Sequence, residues 1–453
     1  MQEIIAEKPI TGRIIGISHR IKQKKDQEPR PTLIAISNPT TDDVQHFKLE
    51  TEQDELDFLN GICPIKWKPI TVPSDNISAY PEHQVVFRSA KDEDILVDRH
   101  SSQCHYEIKK GKKEAPDIRT LVEVATDVPS EYIGVQRKDT VAMILGGSGD
   151  YFAHALSRKL SEMDGMVLRI PPFKLKEHRG EASKDDDCDL LVKLAIDHRS
   201  DFYQALTRDR SIIRLRNAYL HRMNVMGQRI ACEQRIAQLA IGDIFCRDDG
   251  YFPEGSLLNE VLKLKASSPV LLALEQEEGL ALKNLEKAVQ ALDIFQEVFA
   301  HIPGCGPRIT AGLMSAIVDI RRFKTAAKLV KYLGAHVLPD GTFPRRRIGQ
   351  TSNWDPDGRQ EVWNIGGQFL RQINSDTKWG NYLKKMKIAL RAKHPDIVEV
   401  VVINKDGKKA KVKRYTNGHI QKMATWRTLT RFTESLWTEL WKLEKSAKAS
   451  PQG

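Results

Sequence analysis

The chain has 453 residues, 40% of them hydrophobic and 29% charged, with a formal net charge of +10. These figures exclude a disordered chain and leave room for two or three domains, each with its own core. No apolar run reaches bilayer-spanning length, MQEIIAEKPI lacks the basic-then-apolar layout of a signal peptide, and six scattered cysteines without a CxxC pair offer neither a disulfide framework nor a zinc ribbon, so a cytoplasmic protein with no membrane partner is expected.

Residues 1–90 read as a small α+β accessory domain. TGRIIGIS, RPTLIAIS and VQHFKLE are predicted strands, and TEQDELDFLNG opens with Thr51 and a carboxylate three residues on, the capping-box pattern of a helix start. KWKPITVPSDNISAYPEHQ is rich in turn formers and reads as a connector. Residues 91–200 read as a second domain. DILVD is a short predicted strand, HYEIKKGKK runs into a hairpin, and IRTLVEVA is a third strand. TVAMILGG is an apolar run closed by glycine, as a buried strand would be, YFAHALSRKLSEM is an amphipathic helix, and GMVLRIPP is another buried strand. The order predicts an α/β fold, a mixed sheet with helices packed on it. Residues 201–300 carry long apolar periodicity in SIIRLRNAYLHRMNVMGQRIACEQRIAQLAIG and LALEQEEGLALKNLEKAVQALDIFQEVFAHI, which predicts two long helices paired as an antiparallel coiled coil. Residues 301–445 form a mainly helical C-terminal domain that ends in ATWRTLTRFTESLWTELWKLEKS, a further long helix.

Charge separates these regions. Residues 301–453 hold 29 Lys and Arg against 12 Asp and Glu, so the first 300 residues are net negative. An asymmetry of this kind points to a polyanion held by the basic part, and nucleic acid is the commonest such partner. Against that background SKDDDCDLLVKLA is conspicuous, with Asp185, Asp186, Asp187 and Asp189 in five positions before an apolar helical pattern. One or two aspartates face the positive end of a helix dipole favourably, but four repel one another. A divalent ion such as Mg²⁺ or Mn²⁺ relieves that repulsion through oxygen ligands. If Leu190, Leu191, Val192 and Leu194 pack inward, Asp187 lies one turn before them, Asp186 reaches the same end of the sheet, and Asp189 is more exposed. Asp98, at the end of DILVD, and Asp150, near the end of TVAMILGGSGDY, are the candidate acids from neighbouring strands.

IPGCGPRITAGL places Gly304 and Gly306 in a tight loop before a helix, with Arg308 beside them. Such a loop lets backbone amides approach a phosphate, in the manner of a helix-hairpin-helix turn. FPRRRIGQTSNW sets Arg345, Arg346 and Arg347 beside Thr351 and Ser352, and INKDGKKAKVKRY reads as a basic hairpin. Six tryptophans lie in the same third. Base stacking is open to some of them, whereas the i, i+4 pair Trp437 and Trp441 reads as core.

IPGCGPRITAGLMSAIVDIRRFKTAAKLVKYLGAHV resembles the C-terminal signature of insertion-sequence transposases numbered 110, 116 and 902. Pro303, Gly304, Gly306, Arg322, Phe323, Tyr332 and Gly334 stand at its spaced positions, and the resemblance extends over roughly residues 95–440. It implies a RuvC-like (RNase H-like) domain with an Asp-Glu-Asp-Asp magnesium site, a C-terminal serine nucleophile, guidance by a structured RNA, and an oligomer that cuts and rejoins DNA. Carried over, Asp98 is the first acid, and Asp186, Asp187 or Asp189 supply the last two, with Asp187 favoured. Thr342, Thr351 and Ser352 are the candidate hydroxyls, and Ser352 is the expected nucleophile. The sequence departs from the family at Gly146, which stands where the glutamate belongs ahead of Ser148-Gly149. An alternative first strand, IIGISH, would put Ser18 at the first acid. These departures admit a second reading, a catalytically decayed nucleic-acid-binding protein derived from such a transposase.

Overall fold

The computed structural model describes residues 11–20, 29–38, 43–111, 116–251, 254–338, 343–345, 353–403 and 409–449. They fall into two compact units, Met1–Ala205 and Leu206–Gly453.

In the first unit the chain runs through β1 (Ile14–Ser18), β2 (Thr32–Ser37), β3 (Val44–Leu49), α1 (Glu52–Asn60), β4 (Cys63–Pro69), β5 (Val86–Ser89), β6 (Cys104–Lys109), β7 (Ile118–Ile133), β8 (Thr140–Ile144), α2 (Asp150–Glu162), β9 (Met166–Ile170), α3 (Pro172–Arg179), α4 (Asp187–Asp197) and β10 (Tyr203–Gln204). Six of these strands form one mixed sheet in the order β10-β9-β8-β1-β2-β3. β1, β2 and β3 are an antiparallel meander, and β8 and β9 continue the sheet parallel to β1. The architecture is of the expected mixed α/β class, but the boundary expected at residue 90 does not hold for these strands, because Ile14 pairs with Thr140 and Ile17 with Met143.

Strand alternation sorts the core. Ile15, Ile17, Ile34, Val141 and Met143 face α1 and α2, where Phe58, Phe152, Leu156 and Leu160 cover them. Ile14, Ala35, Ala142 and Leu168 face the other way, onto Leu175 of α3 and Cys188, Leu191 and Val192 of α4. On that face Gly16 lets α4 lie directly on β1, since a methyl there would run into the Cys188 carbonyl. α1 starts at the expected capping box, with the Thr51 and Asp54 side chains exchanging bonds with each other's amides, and stops at Gly61 with φ 77°.

β4, β5 and β6 pair with the long β7 in a separate antiparallel sheet inserted before β8. DILVD lies in this insertion and is not a strand. Asp92–Leu96 is a 3₁₀ turn, built around Asp94, which takes two bonds from Arg88 and one from Arg99. Ile95 and Leu96 are 69% and 89% exposed, so no sheet buries them. The segment has strand composition but pairs with no strand among the described residues.

In the second unit, α5 (Thr207–Phe245), α6 (Leu257–Ser267) and α7 (Pro269–Gln290) are followed by a π-helical turn at Phe295–Phe299, then α8 (Pro307–Ile317), α9 (Ala326–Tyr332), α10 (Pro356–Arg371), α11 (Lys378–Lys393), the hairpin β11 (Val398–Ile403) and β12 (Lys409–Arg414), and α12 (Asn417–Ala449). α5 packs along α7 as an antiparallel pair. Leu215 and Tyr219 share a cluster with Leu285 and Val289, and Arg229 donates to Glu278 at 2.6 Å. Ser268, Asp355 and Thr377 cap α7, α10 and α11, with proline at the first position of α7 and α10. α8 to α12 close around Phe299, Leu313, Phe369, Trp379 and Phe432. Among the described residues no helix is long and apolar enough to cross a membrane.

Candidate functional sites: the sheet end and the basic surface

β1 and β8 are parallel neighbours at the centre of the mixed sheet, and their carboxyl ends lie side by side, as in open sheets that carry sites at such ends. β1 ends in Ser18 and β8 leads into Leu145-Gly146-Gly147-Ser148. Neither end supplies the carboxylate that the family resemblance calls for.

Three aspartates of the acidic cluster are bonded by side chains of the chain itself. Asp187 is 3% exposed and takes two bonds from Arg179, at 2.6 and 2.8 Å, while burial still raises its pKa above the ordinary carboxylate value. Asp189 is 2.6 Å from His46 Nε2 on β3, and Asp185 accepts from Arg30 at 2.9 Å. Asp186 is the exposed residue at the α4 N-cap. Asp98 is exposed in a loop of the insertion, outside the mixed sheet altogether. Asp150 opens α2, buried against Arg169. Among the described residues no three His, Cys, Asp or Glu side chains converge to hold a metal ion. The expected donors Asp98, Asp186 and Asp187 therefore do not fit a shared Mg²⁺. Asp98 lies on a loop away from the mixed sheet, and Asp187 already has a guanidinium where the cation would sit.

A different set of side chains meets at this sheet end. His19, just past β1, has Nδ1 3.0 Å from Ser148 Oγ and 3.1 Å from the Arg20 carbonyl. Its Nε2 is 3.2 Å from Glu55 Oε1 on α1. Thr32 donates to the same Glu55 oxygen at 2.6 Å, and the Arg20 amide donates to Thr32 at 2.9 Å. Burial raises the Glu55 pKa, but the bonds from His19 and Thr32 outweigh it and hold the carboxyl below its ordinary value. Gly146 and Gly147 have φ 82° and 113°, which turns the chain sharply between β8 and α2 and leaves Ser148 exposed. Gly149 packs beside it, with the His19 Cβ 3.0 Å from where a Cβ on Gly149 would stand. The Gly-Gly-Ser-Gly run after a buried strand was the sequence signal for this cluster. The histidine and glutamate come from distant segments.

In the second unit the signature residues build a packed base. Gly304 has φ 86°, and a Cβ on it would lie 2.6 Å from Gln368 Cβ of α10, so packing accounts for this glycine without a phosphate. Gly306 is the N-cap of α8 with open space around it, and Arg308 is exposed. The Arg322 guanidinium lies 5.5 and 5.3 Å from the Phe323 and Tyr332 ring centres. The Phe323 carbonyl accepts from both Trp437 and Trp441, at 2.9 and 3.3 Å, which places this tryptophan pair in the structural core. Arg359 lies 5.0 Å from the Trp354 ring and 4.5 Å from Trp426, and its guanidinium donates to the carbonyls of Gly334 and Pro344. Trp363 stands against Trp426 at 5.3 Å and remains 40% exposed.

The expected basic hairpin is present, with Val400 opposite Val412 and Val401 opposite Lys411. Lys409, Lys411 and Lys413 are exposed along β12, and Lys384, Lys385, Lys387 and Lys393 along α11. At the root of the hairpin three rings stack. His394 and Tyr415 are 3.9 Å apart and nearly parallel, and Tyr415 and His419 follow at 5.7 Å. Arg391 donates to the Tyr415 carbonyl and to Asn417, which ties α11 to the start of α12. Burial lowers the His419 pKa, helped by the charges of Arg414 and Arg345, so the exposed Arg345 belongs to this cationic surface. Arg346, Arg347, Thr342, Thr351 and Ser352 lie outside the described residues.

No curated protein matches the chain. Residues 296–342, which contain every signature position from Pro303 to Gly334, match the family described as Transposase IS116/IS110/IS902 family, and this supports an insertion-sequence transposase.

Proposed function

We propose that the chain acts on DNA in the manner of an insertion-sequence transposase, cutting and rejoining strands, with the second unit as its DNA-holding body. The observation that carries this reading is the transposase match over residues 296–342, in the third of the chain where Lys and Arg outnumber Asp and Glu by 29 to 12. The geometry supports it. The signature residues make a rigid base, and from it project an uncovered two-stranded ribbon with three exposed lysines and a half-exposed aromatic stack. Lysines contact phosphates without reading sequence, and a two-stranded ribbon is narrow enough for a major groove. A structured guide RNA offers the same phosphate chemistry to the same surface. The exposed Leu239, Phe245, Leu258 and Leu262 of the α5–α6 hairpin are the apolar surface on which a second copy would pack.

The ion pairs of Asp187 with Arg179 and Asp185 with Arg30, and the hydrogen bond between Asp189 and His46, favour a second reading, a nucleic-acid-binding protein whose metal-dependent cleavage is lost. One experiment separates the two. The full chain is purified from cells without nuclease treatment, and its nucleic acid is sequenced before and after protease digestion. Bound DNA that migrates with a covalently attached peptide supports the transposase. Nucleic acid released intact by high salt supports the decayed form, and recovery of none rejects both.

A further inference from the structure

We propose that an unpaired DNA strand lies along the start of α12, with one base stacked on Trp363 and another on the column of His394, Tyr415 and His419. The assignment rests on the DNA-acting reading above and adds to it a ligand that the ribbon does not suit. Moving strands between duplexes exposes bases, and an exposed base is held by a flat ring rather than by a groove reader. Two aromatic platforms and the cations between them meet that need. His419, Lys422 and Trp426 stand at i, i+3 and i+7 of α12, so one face carries all three over two turns, about 10 Å. Lys422 is exposed between the platforms. The segment beside the helix spans the same distance. Phe343 stacks on Trp426 at 5.6 Å, and the exposed Arg345, two residues on, brings its charge to His419.

Both platforms are set before any ligand arrives. At one end Trp426 is buried and carries Trp363 at 5.3 Å, which stays 40% exposed. At the other, Tyr415 has φ 60°, a left-handed conformation that bulky residues rarely adopt and that marks a position held for a purpose. The Tyr415 amide donates to His419 Nδ1 at 3.0 Å, and its carbonyl accepts from Arg391 at 3.0 Å, so both backbone groups are fixed. A ring placed this way loses little freedom when a base stacks on it. The rings of the column already touch one another, so a base adds at an end rather than between them. Burial lowers the His419 pKa, and the charges of Arg414, Arg345 and Lys422 act in the same direction, so three cations stand around this ring. Packing explains why Phe343 and Trp426 meet. It does not explain why an open indole and exposed cations share their face. Single-strand sites have this composition, with charge for the phosphates and flat rings for bases of any sequence.

The test titrates the full-length chain with oligothymidylate of about 12 nucleotides, a length within the reach of single-strand sites. Binding is read by anisotropy of a labelled strand and by quenching of tryptophan fluorescence. A duplex of the same length is titrated in parallel. Expected is quenching by the single strand that Trp363→Phe diminishes while keeping most of the affinity. Trp363→Ala and His394→Ala each weaken single-strand binding by about 5- to 150-fold, the usual worth of one stacked base, and leave duplex binding unchanged. His394→Phe, which keeps a flat ring, restores the single strand, as a merely structural role of the imidazole would not require. Equal single-strand affinity in wild type and Trp363→Ala overturns the platform. Quenching by oligouridylate with none by oligothymidylate overturns the choice of DNA and assigns the face to RNA. Retention of the duplex without the single strand overturns the platform and leaves the DNA-acting reading standing, whereas retention of neither rejects both.

Discussion

Asp187→Ala separates an ion pair from a metal ligand. In the structure the Asp187 carboxylate takes both of its strong bonds from Arg179, and the two side chains are 4% and 13% exposed. Removing one partner of a fully buried pair costs about 3–5 kcal/mol, because the other charge is left without compensation. Arg179 keeps some access to water, so a cost of roughly 2–3 kcal/mol is expected here. At about 1.4 kcal/mol per factor of ten, that is a fall of about 30- to 150-fold in hydrogen-exchange protection of α4, the helix that begins at Asp187 and lies on β1. The assay is exchange of the α4 peptide, read by mass spectrometry with and without about 10 mM Mg²⁺, roughly a hundredfold excess over a site of 0.1 mM affinity. Arg179→Ala produces a loss of the same size, and Mg²⁺ changes protection in none of the three proteins. Mg²⁺-dependent protection in the wild type that disappears in Asp187→Ala, with no loss in magnesium-free buffer, would refute the ion-pair account and restore the metal site.

Gly16→Ala pushes α4 off β1, since the new methyl meets the Cys188 carbonyl and the Val192 side chain. A loss of about 1–3 kcal/mol is expected in chemical denaturation followed at the first unit. Lys411→Gln with Lys413→Gln lowers the slope of log affinity against log salt by about two for duplex DNA of any sequence, and an unchanged slope removes the ribbon from the interface. Glu361 on α10 is buried, and its pKa is raised by burial against the bonds from Asn364 and Tyr219. A carboxyl with a raised folded pKa stabilises below its unfolded value and loses that contribution as pH rises through the folded one. Glu361→Gln therefore gains on the wild type in denaturation midpoint from pH 4 to pH 8, and a difference that shrinks over this range contradicts the assignment.

Much of the fold was legible where the determining interactions are close in sequence. Thr51 and Asp54 are three residues apart and fix the start of α1. The apolar period of residues 211–242 fixes α5, and alternating lysines fix β12. The signature from Pro303 to Gly334 was legible as spacing, although its physical use as an arginine–aromatic packing base was not. The apolar pattern after the acidic cluster marked a helix, and α4 starts there with Asp187 buried, whereas the magnesium expected on these acids does not follow from that pattern. What lay beyond reach was the partner of each acid, since Arg179, His46 and Arg30 reach them only through the folding of the sheet. DILVD failed for the converse reason, because strand composition without a neighbouring strand produces a 3₁₀ turn.

By itself, then, the sequence determined the elements fixed by capping, periodicity or composition over a few residues, α1, α5 and β12 among them, and where positive charge collects. Tertiary structure alone decided that β1 lies beside β8, and through that pairing that His19, Ser148 and Glu55 meet at one sheet end where carboxylates were expected. The physical reason is that parallel pairing joins strands through a crossover, so the chemistry at their ends depends on loops that no local pattern relates to one another.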